Sequence, residues 1–114
     1  MATPRLARAA ARLGLLAAAT AGGTAARADD VDAGRVRAQA CVACHGPLGL
    51  SSQPEVPHLA GQPADYLKAQ LRAFRSGARK NEVMSLMARD LGDADIDQLA
   101  AWFSAVRVQA QPPR

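Results

Sequence analysis

The sequence predicts an all-helical fold, and three observations lead to that prediction. Apolar residues recur at spacings of three and four in two stretches, one after Pro63 and one after Asp93. A third stretch, residues 30–43, contains no proline and is rich in alanine, arginine and valine. No run of useful length alternates apolar and polar residues as a half-buried strand would. We therefore expect three to four helices and no sheet.

Each of the three predicted helices has a residue at its start or its end that is typical of a helix terminus. An aspartate at the head of the first helix, residues 30–43, is expected to cap free N–H groups. The second is expected to start with Pro63 at its first helical position and to end at Gly77. The third follows Asp93, where acidic residues suit the positive end of the helix dipole.

A loop is predicted between the first two helices. Residues 46–62 are rich in glycine, proline and serine, and their three prolines oppose a helix. A loop of about 17 residues in a compact domain usually wraps a ligand or a site. Residues 109–114 are expected to form a flexible tail.

The N-terminal segment resembles an export signal. Residues 13–21 form a short apolar run, and Ala26, Arg27 and Ala28 supply a small-x-small cleavage pattern. The run falls well short of the roughly 20 apolar residues that a membrane-spanning helix needs. Three arginines form the basic start that such signals carry: Arg5, Arg8 and Arg12. We predict a signal peptide over residues 1–28, cleaved after Ala28, with an uncleaved membrane anchor as the alternative.

Cleavage changes the charge balance of the chain. The full sequence has 14 basic and 10 acidic residues, but four arginines and no acid lie in residues 1–28. The remaining chain would carry ten of each, so the basic character belongs to the precursor. A nucleic-acid-binding function thereby loses its main support.

The residues that carry chemistry are Cys41, Cys44 and His45, in the pattern Cys-x-x-Cys-His. This pattern is typical of c-type haem attachment. Thiols three residues apart lie on one side of a helical turn, where each can add to one vinyl group of a haem. The imidazole of His45 is then directed at the iron. We predict one covalently bound haem c.

Three other interpretations of the two cysteines compete with haem attachment. A redox-active pair would need a preceding strand and a following helix, whereas a helix precedes here and a loop follows. A structural disulfide across three residues would close a very short loop and stabilise the chain little. Zinc would need four ligands, and His58 lies in a loop with no second pair.

Beyond these residues, the sequence resembles the class I cytochromes c, and more closely the small bacterial cytochromes of the c-four type. The resemblance covers almost all of residues 31–108. It rests on three matching stretches, CVACHGPLG at 41–49, PHLAGQPADYLKAQLRAFRSGARKN at 57–81 and MSLMARDLGDADIDQLAAWFSAV at 84–106. It implies a small cytochrome c fold over residues 29–108, wrapped around one haem. The resemblance implies one such domain in this sequence, where cytochromes of the c-four type carry two.

The resemblance also implies the iron ligands. A methionine binds the iron opposite His45, and the family position falls on Met84, with Met87 as the alternative. The residues alone leave open that both methionines only pack in the core. The resemblance further implies that the Pro57 carbonyl accepts a hydrogen bond from the proximal imidazole. A simple turn proline is equally compatible with the sequence.

Other positions are implied to lie near the haem or at a helix crossing. The polar residues that match positions close to haem propionates or to the methionine sulfur are Tyr66, Gln70, Arg79 and Asn81. Gly34 matches a position where the first and last helices cross, opposite Trp102 and Phe103. We interpret His58 as a partly exposed loop histidine on the proximal side.

These inferences predict a periplasmic one-electron carrier that is not an enzyme. Its partners would be redox proteins, a donor and an acceptor such as a terminal oxidase or reductase, with no nucleic acid and no stable membrane span after cleavage. The alternatives are a haem subunit of a larger redox enzyme and a five-coordinate gas-binding sensor. A permanent subunit should show an apolar surface patch, and a sensor an open iron position.

Overall fold

The computed structural model describes residues 23–114, so most of the predicted signal peptide, residues 1–22, lies outside the described residues. A 3₁₀ turn over Ala38–Cys41 joins the first two of five α-helices. These are α1 Gly23–Arg37, α2 Val42–His45, α3 Ala64–Ser76, α4 Glu82–Ala88 and α5 Asp93–Ala105. No strand occurs in this part of the chain, which confirms the all-helical prediction.

The first helix differs from its prediction at both ends. It begins at Gly23, so Asp30 lies inside α1 and the expected aspartate cap is wrong. Alanine and arginine between Gly23 and Asp30 are strong helix formers, which explains the earlier start. The predicted cleavage point after Ala28 also lies within α1. At the other end, the 3₁₀ turn tightens the chain before the cysteines instead of continuing the α-helix.

The second predicted helix corresponds to α3. Pro63 is the residue before the helix, with φ −57° and ψ 135°, so its expected place at the first helical position is off by one. Gly77 ends the helix as predicted, with a left-handed φ of 80° that glycine adopts without a steric penalty.

Helix α4 was not predicted. It spans only seven residues and is capped by Asn81, whose side chain accepts a hydrogen bond from the Met84 N–H. A turn then leads into α5, where the Asp95 carboxylate accepts from the Gly92 N–H at 2.8 Å. A helix this short shows too little of its apolar period in the sequence to be recognised.

The core lies where α1 crosses α5 and α3 packs on the same helix. Its buried cluster comprises Ala38, Leu67, Leu99, Ala100 and Phe103. Helix α4 packs on α3 and contributes Ala88, which is fully buried. None of the helices in residues 23–114 is both long and apolar enough to cross a bilayer.

Gly34 lies at the crossing of α1 and α5. A Cβ at this position would overlap the Gln98 carbonyl oxygen and lie 2.8 Å from Trp102 Cβ, so the predicted close approach is confirmed for Trp102. Phe103 instead faces Gly49 in the loop, where a Cβ would lie 2.8 Å from its ring. The two aromatic residues therefore pack against different neighbours, because the side chains of consecutive helical residues point about 100° apart.

We expect Gly34→Ala to lower the free energy of unfolding by about 1–3 kcal/mol, since the added methyl group forces the two helices apart. Urea unfolding of the haem-loaded protein, followed by circular dichroism, measures this change. Val36→Ala is the matched control, because Val36 is on the same helix and 70% exposed. Equal stability of the two variants would contradict a tight crossing at Gly34.

Candidate functional site

The site starts at the junction of the 3₁₀ turn and α2. Cys41 ends the turn and is half-buried, whereas Cys44 in α2 is exposed, and the two do not form a disulfide with each other. Burial raises the pKa of the Cys41 thiol, and the neighbouring Cys44 raises it further. Cys41 lies at the inner, half-buried side of the site.

His45 is the buried member of the motif, with 6% of its surface exposed. Its Nδ1 donates a hydrogen bond to the Pro57 carbonyl oxygen at 2.9 Å. In the neutral imidazole this bond places the hydrogen on Nδ1, and Nε2 is then the nitrogen available to a metal. The arrangement implied by the family resemblance is therefore present in the geometry.

The loop over residues 46–62 brings Pro57 to His45. The Gly49 carbonyl accepts hydrogen bonds from the Leu59 and Ala60 N–H groups at 2.7 and 3.1 Å, which closes the loop on itself. The Gly61 N–H donates to the Phe103 carbonyl at 2.8 Å and ties the loop to α5. The predicted loop is thus ordered and lies beside His45.

An apolar cleft of about 230 Å³ lies next to Cys41. It is lined by Arg37, Ala40, Cys41, Leu71, Met84, Met87, Leu91 and Leu99. The cleft brings Cys41 and the two methionines together although they are distant in sequence. Leu71 and Leu99 belong to the apolar faces that the helical periodicity indicates, so their place here could have been inferred.

Arg37 is a cleft residue that sequence reasoning missed. Its Nε donates to Gln98 Oε1 at 2.6 Å, and its Nη1 forms an ion pair with Asp95 at 2.6 Å. Both partners are on α5, so the guanidinium is fixed at the edge of the cleft by the helix crossing. Nothing in the local sequence distinguishes Arg37 from Arg35.

The two methionines differ in their exposure. Met84 is half-buried, whereas 46% of the surface of Met87 is exposed. The Met84 backbone N–H donates to Asn81 Oδ1 at 2.9 Å, which fixes the first turn of α4. The structure thus places Asn81 as the cap of the helix that carries both sulfur atoms.

The remaining predicted haem neighbours do not line the cleft. Tyr66 is 46% exposed on α3. Arg79 donates to Gln70 Oε1 at 2.6 Å, and its guanidinium lies 4.6 Å from the centre of the Phe74 ring. Their proximity to the haem stays a prediction.

The donor set indicates which group the site accommodates. Cys41 and the thioethers of Met84 and Met87 line an apolar cleft, and Cys44 and the buried imidazole of His45 belong to the same motif as Cys41. In residues 23–114 no three His, Cys, Asp or Glu side chains lie grouped as they would around a metal ion. The residues therefore fit haem, and the fold and site define the class of proteins that attach haem through a Cys-x-x-Cys-His motif.

The chain belongs to the cytochrome c family, because the family profile Cytochrome c matches residues 31–106. Its cofactor is accordingly covalently bound haem c, in agreement with the motif.

Two curated relatives and one solved structure are similar to this chain. Cytochrome c-554(548) of Halomonas halodenitrificans is 42% identical over 81 residues, which cover 68% of this chain and 98% of the relative. The thiosulfate dehydrogenase electron acceptor of Stutzerimonas stutzeri is 48% identical over 69 residues, 58% of this chain and 32% of the relative. Reduced recombinant cytochrome c4 from Pseudomonas stutzeri superimposes with a TM-score of 0.64 at 36% identity, covering 68% of this chain and 45% of that one.

The lengths of these relatives differ from that of this chain. The chain spans about a third of the electron acceptor and less than half of the cytochrome c4, but nearly all of cytochrome c-554(548). The matches to the two longer proteins thus concern a portion of each.

We expect Asn81→Ala to lower the free energy of unfolding by about 1 kcal/mol, because the Met84 N–H loses its acceptor. Asn81→Asp keeps an oxygen in the same place and should stay close to the wild type. Chemical denaturation of the haem-loaded protein compares the three. An Asp variant as unstable as the Ala variant would contradict the capping role.

Proposed function

We propose that this protein is a periplasmic one-electron carrier with a single haem, whose iron is bound by His45 and Met84. The observation that carries the proposal is the cleft shared by Cys41 and Met84, with the buried imidazole of His45 in the adjoining motif. Haem attachment through the cysteines and a thioether ligand require these groups to lie close together. We infer that the protein is not an enzyme.

The residues around the cleft support this role in different ways. When bound, the haem supplies an iron that takes up and releases one electron. His45 presents Nε2, and its bond to the Pro57 carbonyl fixes the orientation of the ring. A thioether from Met84 favours the reduced state relative to a second imidazole and leaves no open position for a gas.

Met84 is preferred over Met87 on two grounds. It is the less exposed of the two methionines, and its backbone is held by the Asn81 cap. A ligand held in advance loses less conformational entropy when it binds the iron. Met87, one turn further along α4, has its side chain half open to solvent.

Two features support the remaining parts of the proposal. The sequence has two cysteines, both in one motif, which is enough for one haem. Residues 1–28 have the basic start, apolar run and small-x-small pattern of an export signal, which supports the periplasm as the location.

A second candidate is a haem subunit of a larger redox enzyme. It is favoured by three exposed apolar side chains on α4, since Val83 and Leu86 are each 59% exposed and Met87 is 46% exposed. One relative is named as the electron acceptor of thiosulfate dehydrogenase. The same side chains would equally serve transient docking of a donor or an acceptor, so the carrier stays the conclusion.

Absorption spectroscopy of the ferric protein tests the ligands. We expect the weak near-infrared band of an iron–thioether bond in the wild type and in Met87→Ala, and its loss in Met84→Ala, because only Met84 binds the iron. If the wild type lacks the band and its reduced form readily binds carbon monoxide, the carrier function is wrong and a gas-binding haem replaces it.

The intact mass of the exported protein tests two other parts of the proposal, the cleavage of the signal and the attachment of a single haem. A chain that begins at Asp29 and carries the mass of one haem is expected in a periplasmic extract, because the signal is cleaved and both thiols hold the same haem. Cytoplasmic extract from the same cells is the control. A retained N-terminus would contradict cleavage, and a chain without added mass would contradict haem attachment.

A further inference from the structure

The loop over residues 46–62, called the proximal loop below, is closed at a second point by His58. Its Nδ1 accepts a hydrogen bond from the Ser51 N–H at 2.8 Å. This bond lies directly beyond the Gly49 closure, in which the carbonyl of Gly49 accepts from the Leu59 and Ala60 N–H groups. Together the two closures tie the segment that contains Gly49 and Ser51 to the segment that contains His58 and Ala60. The closure by His58 is the one next to Pro57.

Ser51 connects this closure to the haem-binding motif. Its Oγ donates to the Cys44 carbonyl at 3.2 Å, and it accepts from the Gln53 N–H at 3.0 Å. Gln53 in turn donates from Nε2 to the Ala43 carbonyl at 3.2 Å. The segment that His58 holds, residues 51–53, is therefore the segment that is hydrogen-bonded to the Ala43 and Cys44 carbonyls of α2.

We propose that His58 is a positioning residue that holds Pro57 in place for the proximal hydrogen bond to His45. The inference rests on the proposed function and deepens it. His58 does not touch the iron ligands in this scheme. It acts through Ser51 on one side and through the adjoining Pro57 peptide on the other.

The physical effect follows from the proximal hydrogen bond. A carbonyl that accepts from Nδ1–H makes the imidazole a stronger donor to the iron, which favours the oxidised state. Without the His58 acceptor, the peptide that follows Pro57 keeps the bond from Gln62 Nε2 to the His58 carbonyl at 2.7 Å but loses its connection to Ser51. The Pro57 carbonyl then moves more freely, the proximal bond weakens and the reduction potential rises.

Two substitutions of His58 separate this role from a general effect on the fold. Asparagine places its Oδ1 where Nδ1 of histidine lies, so His58→Asn keeps the acceptor for the Ser51 N–H. His58→Leu keeps the bulk but removes the acceptor. Ser52→Ala is a control in the same loop, since Ser52 is exposed.

The experiment uses the haem-loaded protein and measures the reduction potential together with solvent exchange of the His45 Nδ1 proton by paramagnetic NMR. We expect a higher potential and about fivefold faster exchange in His58→Leu, the factor that corresponds to one typical net hydrogen bond. His58→Asn and Ser52→Ala should match the wild type. The Ser51 amide should exchange slowly in the wild type, which checks the His58 bond without any substitution.

The outcomes distinguish this inference from the proposed function. If His58→Leu keeps the wild-type potential and exchange rate, or the wild-type Ser51 amide exchanges as fast as a free one, the role of His58 is wrong while the electron carrier stands. If the wild type lacks the iron–thioether band, the proposed function is wrong, and the inference fails with it.

Discussion

The close crossing of α1 and α5 is the constraint on which the rest of the structure depends. Gly34 lets the backbones approach, and Arg37 fixes the angle by binding Gln98 and Asp95 of the partner helix. The next turn of the chain then carries Cys41 to the cleft, beside Leu99 of α5. The attachment motif is thus positioned by a helix contact made two turns before it, together with the loop contacts of His45 and Cys44.

Helix α5 also anchors the proximal loop, through Phe103. The ring of Phe103 packs on Gly49, and its carbonyl accepts from the Gly61 N–H. Gly49 is buried and has a φ of 77°, so a side chain at this position would meet both the ring and a strained backbone. One turn of α5 therefore anchors both ends of the segment that delivers Pro57 to His45.

The sequence predicted those parts of the structure that depend on local chemistry. The Cys-x-x-Cys-His motif, the end of α3 at Gly77 and the long loop follow from residue types at fixed spacing. Helix α4 was missed because its stability depends on the Asn81 cap and on packing against α3, which a seven-residue pattern does not reveal. Arg37 was missed because its role is set by two residues on α5, and tertiary partners leave no local signal. The resemblance to cytochromes c supplied Met84 and Pro57, which composition and spacing could not.

The two halves of the site differ in how they are held. His45 is buried, and α2, which carries it, is joined to the core-packed α1 by one 3₁₀ turn. Met84 lies on a short helix that buries one residue, Ala88, against α3 and is capped by Asn81. Arg75 of α3 reinforces its far end by donating to the Leu91 carbonyl at 2.9 Å and to Asp93 at 2.8 Å. The hydrogen bond from Arg75 holds the pKa of the Asp93 carboxyl below its usual range. Segments with few buried apolar contacts open at the lowest free energy. The methionine half is consequently the part of the site that should open first, while the histidine half stays in place.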